Sequence, residues 1–329
     1  MTANRTGADA AALLEGVRSC DPLAIARAIT AIENRTPTGT ELAVAVRGRD
    51  NRCRTIGVTG PPGAGKSSLI NALLQEMLKG YSRIAIITVD PTSPISGGAV
   101  LGDRVRMSAF SANPDVFIRS LAARGHLGGV TRTTRSVIDL LAASEMDVVI
   151  VETVGTGQSE VEVAELTDVK IVVSAPGLGD EMQAIKAGVL EIADLLVVNK
   201  SDLPDAARTA AYLTAMLHNS PEGERRTVHL TSSMNGDGVK ALADAIDARF
   251  ATLQTGAPEA AVRRRFSLTM LADDVAAAAA ALLRDTSDSR ADGIVDAVND
   301  GTLSRLDGTK LAIGMLAELD NIAGARNVK

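Results

Sequence analysis

The hydrophobic period of the chain changes abruptly within residues 55–79. Ile56 and Val58 alternate with small or polar residues, which predicts a strand over 55–59. A glycine-rich run follows. Leu69, Ile70, Leu73, Leu74, Met77 and Leu78 then fall on one face of a helix over 66–79, and Gly80 stands where a C′ residue belongs. Comparable switches recur downstream. They predict strands over 83–89, 116–119, 147–151, 170–174, 195–199 and 227–231, and helices over 129–143, 181–192, 205–217 and 239–253. Runs such as VVIV and LLVV are apolar at consecutive positions, so both faces of these strands require cover. The expected fold is α/β, a doubly wound, mainly parallel sheet.

Flanking segments have a different pattern. Residues 8–48 read as helical, with Ala11, Leu14, Val17, Leu23, Ile25, Ala28, Ile29 and Ile32 spaced for a buried face. Past Gln254 the chain turns to alanine and charge. Helices are expected there over 260–283 and 308–319, joined by a polar connection near 284–293; the alanine run 276–280 is a strong helix former. This divides the chain into an N-terminal helical extension (1–50), a central domain (51–254) and a C-terminal helical arm (255–329).

Composition narrows the classes. The chain has 329 residues, a net charge of −6 and no tryptophan, so aliphatic side chains must build the core. The acidic balance argues against a dedicated nucleic-acid binder, and Arg263, Arg264 and Arg265 form the one strong basic cluster. No run is long and apolar enough to span a bilayer, and the first residues lack a basic-then-apolar signal pattern. Cys20 and Cys53 lie far apart without metal-ligand spacing, which suits a reduced cytoplasmic protein.

The glycine-rich run carries the first chemistry. Gly60, Gly65, Lys66 and Ser67 complete G-x-x-x-x-G-K-[ST] between a strand and a helix, the context of a P-loop NTPase. Glycines let the backbone close around phosphate oxygens, and the helix presents its positive end to the same anion. Lys66 is placed to reach the β- and γ-phosphates, and Ser67 to ligate the Mg2+ that bridges them. The base is read from Asn199-Lys200-Ser201-Asp202, N-K-x-D at the end of an apolar strand. The Asp202 carboxylate can accept from both the ring N–H and the exocyclic amine of guanine, while Asn199 and Lys200 brace the loop. Thr231, Ser232 and Ser233, after another strand, are expected to line the second side of the base pocket. Glu152, closing a buried strand, belongs beside the magnesium ion, and the N–H of Gly155 is placed to sense the γ-phosphate. Many GTPases carry aspartate where Glu152 stands. Asp90 and Asp103 are further carboxylates for the metal or its waters. Gln158 lies three residues beyond Gly155 and is not assigned the water-positioning role.

The phosphate loop, VDPTSP, GGAVLGDRVRM, GHLGGVTRTTR, VETVGTGQSE, GLGDEMQAIKAGVLEIAD and NKSD occur in this order. In this the chain resembles the methylmalonyl-CoA mutase-associated GTPases of the MeaB type, once also labelled ArgK. The likeness runs from about Leu14 to Phe250 and includes segments that are not generic to GTPases. It implies a GTP-hydrolysing, Mg2+-dependent G-protein chaperone of a cobalamin-dependent acyl-CoA mutase, gating adenosylcobalamin loading and protecting the enzyme. It also implies a homodimer formed through the C-terminal arm, although this arm lacks the tryptophan usual in relatives. Carried over by residue, the phosphate loop comprises Gly60, Pro61, Pro62, Gly63, Ala64, Gly65, Lys66, Ser67 and Ser68, and Met234 joins Ser232 and Ser233 at the base. The first switch covers 90–107, the second 152–158 and a third 179–188, where Lys186 and Asp180 or Glu181 respond to the partner. Rival readings are a nickel-type metal-insertion GTPase, a kinase of an amino-acid transport system, and an interaction module with a dead nucleotide site. The first would call for a His-rich or Cys/His-clustered segment, whereas His126, His218 and His229 are well separated. N-K-x-D speaks against an ATP kinase, and the intact Lys66, Ser67 and Asp202 against a dead site.

Overall fold

The computed structural model describes residues 3–47, 53–90, 110, 112–122, 129–153, 166–177, 193–218, 226–255 and 289–326, with isolated positions at 268, 275 and 279. It divides into two compact units, Met1–Ala257 and Pro258–Lys329.

The first unit is built on a seven-stranded sheet. Its strands are β1 (Arg54–Thr59), β2 (Ile84–Asp90), β3 (Val116–Ala122), β4 (Val148–Thr153), β5 (Val169–Ser174), β6 (Leu195–Val198) and β7 (Thr227–Leu230). The order is β3-β2-β4-β1-β5-β6-β7, and every pairing is parallel. Each predicted strand is present, though the third runs beyond Arg119 to Ala122 and the sixth stops at Val198, releasing Asn199 from the ladder. Consecutive apolar positions serve opposite faces. Ile171, Val173, Leu195 and Val197 pack with α4 (Lys66–Met77) and α7 (Val239–Thr255), while Val172, Leu196 and Val198 pack with α6 (Ala206–His218). The α4 face is the expected one: Leu69, Ile70, Leu73 and Leu74 are fully buried, each stabilising by about 1.5–3 kcal/mol. Gly80 departs from expectation. The helix is capped at Leu78, and Gly80 is not among the residues with positive φ, because the last turn is closed by Gly80 and Tyr81 N–H groups donating to Met77 O. The helix predicted over 129–143 is α5 (Gly129–Ala143). The helix predicted over 181–192 lies outside the described residues.

The N-terminal extension folds as α1 (Ala3–Arg18), α2 (Pro22–Glu33) and α3 (Pro37–Val46). Asp21 and Thr36 are the N-caps of the last two, accepting from Leu23 N and Gly39 N at 3.0 Å, each followed by a proline at the first helical position. The helices cross closely: a Cβ on Gly39 would stand 2.1 Å from Ala31 O. Val17, Ile25, Ala28, Ile29 and Ile32 are buried, whereas Ala11 and Leu23 face solvent and Ala10 is buried in place of Ala11. The extension packs on α5 and meets edge strand β3, where Arg119 Nη2 donates to Glu33 Oε2 at 2.7 Å and to Thr30 Oγ1 at 2.9 Å.

The second unit contains α8 (Ser289–Asn299) and α9 (Arg305–Arg326), packed on each other. The connection expected to reach residue 293 ends earlier, since α8 starts at Ser289. Its polar residues Arg290, Asp292 and Asp296 are exposed, while Ala291, Ile294, Ala297 and Val298 recur at helical spacing on the covered side. Gly301 at φ +80° reverses the chain, and Ser304 Oγ accepts from Asp307 N to cap α9. Of the helix expected over 260–283, Leu268, Val275 and Ala279 are described, and all are helical. Among the described residues, no helix is long and apolar enough to cross a membrane.

Candidate nucleotide site

The carboxyl ends of β1, β2, β4, β5 and β6 converge where the strand order reverses, the usual place for a ligand in an open α/β sheet. β1 is central and leads directly into the phosphate loop. Gly60 (φ +141°), Gly63 (φ +79°) and Gly65 (φ +85°) all take positive φ, the region open to glycine. Gly60 is also pressed against β5: a Cβ there would meet Val173 O at 2.0 Å. Gly65 is the N-cap of α4 and makes no side-chain cap, so the first helical N–H groups face the loop. Lys66 is buried and donates through Nζ to Gly60 O (2.7 Å) and Pro61 O (3.2 Å), following the loop it would serve. Ala64 is buried, while Pro62, Gly63 and Ser68 are exposed.

Next to this loop stands the carboxylate of β4. Ser67 Oγ donates to Glu152 Oε1 at 2.7 Å, and both residues are buried. Glu152 is opposite Thr88 in the β2 pairing, so Asp90, two residues on and buried, shares its side of the pleat. On the opposite side of the pleat, Thr153 Oγ1 donates to Thr59 Oγ1 at 2.9 Å. Ser67, Glu152 and Asp90 form a set of hard oxygen donors, and this fits Mg2+ rather than a softer metal. Among the described residues, no group of three or more His, Cys, Asp and Glu side chains is placed to hold a metal ion. Asp103, Gly155, Gln158 and Lys186, with Asp180 and Glu181, lie outside the described residues.

On the other flank, Asn199 leaves β6 and binds the phosphate loop. Its Nδ2 donates to Ala64 O (3.1 Å) and Gly65 O (3.2 Å). Its Oδ1 accepts from Ser233 Oγ (2.8 Å), Ser233 N (3.2 Å) and Thr231 Oγ1 (3.3 Å). Lys200, at φ +59°, donates through Nζ to Gly63 O at 2.7 Å. Ser201 N donates to Thr231 O at 2.9 Å, joining the two base-side loops. Ser232 Oγ donates to Asp202 Oδ1 at 2.5 Å, fixing one carboxylate oxygen. Met234 projects beside them, 90% exposed. Thus residues from the phosphate loop, the end of β4, the N-K-x-D loop and the loop after β7 meet in one place.

One structural requirement is absent from the sequence reading. Gly238 takes φ +71°, and a Cβ on it would meet Leu230 O at 2.0 Å, so the loop after β7 turns back against its own strand only because a glycine is there. The Gly-Asp-Gly at 236–238, immediately after a strand, is the signal that could have found it.

A glycine-bent phosphate loop on the middle strand of a parallel sheet, tied to an N-K-x-D loop, defines a P-loop protein of the GTPase class. Comparison with known proteins agrees. A putative GTPase of Pyrococcus horikoshii is 43% identical over 235 residues, covering 70% of this chain and 74% of that protein. A mitochondrial methylmalonic aciduria type A homolog of Caenorhabditis briggsae is 38% identical over 251 residues, covering 70% of this chain and 61% of that protein. The solved structure of a LAO/AO transport system kinase superposes with a TM-score of 0.67 at 27% identity, covering 94% of this chain and 98% of that one. The family of the methylmalonyl Co-A mutase-associated GTPase MeaB matches residues 25–284, and the chain belongs to that family.

Proposed function

We propose that this protein is a GTP-hydrolysing chaperone of a cobalamin-dependent acyl-CoA mutase, gating adenosylcobalamin loading and protecting the enzyme. The observation that carries this reading is the family match over residues 25–284, a family described by its association with methylmalonyl Co-A mutase. The name of the nematode relative points the same way.

Guanine is read by Asp202, one oxygen of which is held by Ser232, with the exposed Met234 at the rim. The phosphates lie against the backbone N–H groups of Gly60, Gly63, Ala64, Gly65 and the start of α4. Lys66 exchanges its present acceptors, Gly60 O and Pro61 O, for phosphate oxygens and offsets their charge. Ser67, Glu152 and Asp90 are the residues that would hold Mg2+. When bound, the metal neutralises charge on the β- and γ-oxygens. Asp103, Gly155 and Lys186 belong to the same proposal through the first, second and third switches. Catalysis is therefore mostly positioning and charge stabilisation, slow alone and accelerated when a mutase orders the switches. The C-terminal unit is read as a homodimerisation arm; Leu306, Leu311 and Ile313 on α9, all more than half exposed, are consistent with a partner there. The expected setting is cytoplasmic, without a nucleic-acid or membrane partner.

The test is GTP hydrolysis by the purified protein, alone and with a panel of cobalamin-dependent acyl-CoA mutases, with ATP as control. Acceleration by one mutase, with ATP inert, is the expected result. A mutase-bound rate no faster than the free rate would count against the chaperone reading. The solved relative is named a transport system kinase, so phosphate transfer from labelled ATP to a protein would replace this reading with that one.

A further inference from the structure

The sequence places Ser233 at the base pocket, but its polar atoms point elsewhere. Both its hydroxyl (2.8 Å) and its N–H (3.2 Å) donate to Asn199 Oδ1, with Thr231 Oγ1 a longer third donor at 3.3 Å. Asn199 is 1% exposed, and the opposite end of its amide donates to Ala64 O and Gly65 O. A primary amide has one accepting and one donating end. Three donors on one side and two carbonyls on the other therefore dictate which way it faces. The amide also lies hard against the loop: a Cβ on Gly65 would come within 2.5 Å of Asn199 Nδ2. Gly65 is the N-cap of α4, so the orientation of this amide sets the residue where the phosphate-facing N–H groups begin.

We propose that Ser233 is a positioning residue for the phosphate loop, acting through Asn199, and that the guanine-side loop and the phosphate loop are thereby one mechanical unit. Base binding and phosphate binding are coupled through a single buried amide whose sense Ser233 maintains. The inference rests on the nucleotide reading above for its ligand, but its structural content concerns the free protein. Asp202, held independently by Ser232, supplies the choice of base, so weakening Ser233 lowers affinity without relaxing selectivity.

The experiment compares full-length wild type with Ser233→Ala and Ser233→Thr, which keeps the hydroxyl. The first readout is amide hydrogen exchange over residues 60–67 in the nucleotide-free protein. The loss of one hydrogen bond in Ser233→Ala should raise exchange there about 3- to 10-fold, and the threonine variant should restore it. The second readout is affinity for Mg2+-pyrophosphate, which has no base, beside GDP and IDP. Pyrophosphate and GDP should weaken by the same factor, with the GDP-to-IDP ratio unchanged. Should the alanine variant not fold, Ser233→Cys keeps the side-chain shape in a slightly larger group with a poorer donor and carries the same expectations. Unaltered loop exchange would overturn the proposal. So would weakened GDP binding with unaltered pyrophosphate binding, which is the signature of a plain base-pocket wall. Failure of the wild type to prefer guanine nucleotides would instead remove the functional reading, while the exchange result would still decide the role of Ser233.

Discussion

Replacing Gly60 by alanine tests the geometry on which the whole site depends. The residue lies at φ +141°, a region that alanine enters at a cost of about 1–3 kcal/mol. Its Cβ would sit 2.0 Å from Val173 O and 3.0 Å from Val173 C, both backbone atoms of the neighbouring strand. Carbon and carbonyl oxygen ordinarily meet no closer than about 3.3 Å, so the loop must move away from β5 by more than about 1 Å. That shift strains the ends of β1 and β5, where Thr59 pairs with Val172, and loosening one or two backbone hydrogen bonds there adds about 0.5–1.5 kcal/mol each. The total, about 2–5 kcal/mol, corresponds to a fall in Tm of roughly 5–15 °C for a unit of this size. Nucleotide binding should suffer as well, by about 100-fold, because the same shift displaces the carbonyl to which Lys66 donates. Gly63→Ala is the internal control. Gly63 also has positive φ, but a Cβ there would meet nothing within 4 Å, so it bears the conformational cost alone. Thermal unfolding followed by circular dichroism, with titration of a fluorescent GDP analogue, measures both effects. Equal losses in the two variants, or a Gly60→Ala protein with wild-type Tm and affinity, would refute the claim that contact with β5 sets the loop's position.

Other outcomes follow from the same structure. Asp202→Asn should reduce GDP affinity by about 100-fold or more and transfer preference to xanthine nucleotides, and a variant still selective for GDP would displace Asp202 from the base. Arg119→Ala removes the donor to Glu33, whose side chain is only 11% exposed, and should lower stability by about 1–2 kcal/mol in urea unfolding; no change would show that the extension is held by apolar packing alone. Burial pushes the His229 imidazole below its ordinary pKa of 6.5. Between the folded value and 6.5 the unfolded chain binds more protons, so stability falls as pH drops through that window. His229→Gln should flatten this dependence when urea midpoints at about pH 7.5 and about pH 5.5 are compared, and identical slopes would mean that His229 does not contribute.

What could be read from the residues was whatever is local. Hydrophobic period is a property of a few neighbouring positions, and it placed every described strand and the helices that α4, α5, α6 and α7 became, with ends shifted by a residue or a few. Polar helix starts were harder, because Ser289 to Gly293 resembles a turn until the covered positions Ile294 and Val298 are known. The phosphate loop and N-K-x-D were legible for the same local reason: each is a short backbone shape that demands particular residues at fixed offsets. Partnership was not legible. Nothing in the period of β1 or β4 states that β4 lies between β1 and β2, yet that order is what brings Glu152 to Ser67 across 85 residues. The return of β6 beside β5 likewise sets the Asn199 amide against Ala64, 135 residues earlier, and the pairing of β7 with β6 brings the Ser233 hydroxyl to the same amide. These contacts depend on which strands share an edge, a choice made by burying the apolar faces of the entire sheet at once, and only the tertiary structure records it.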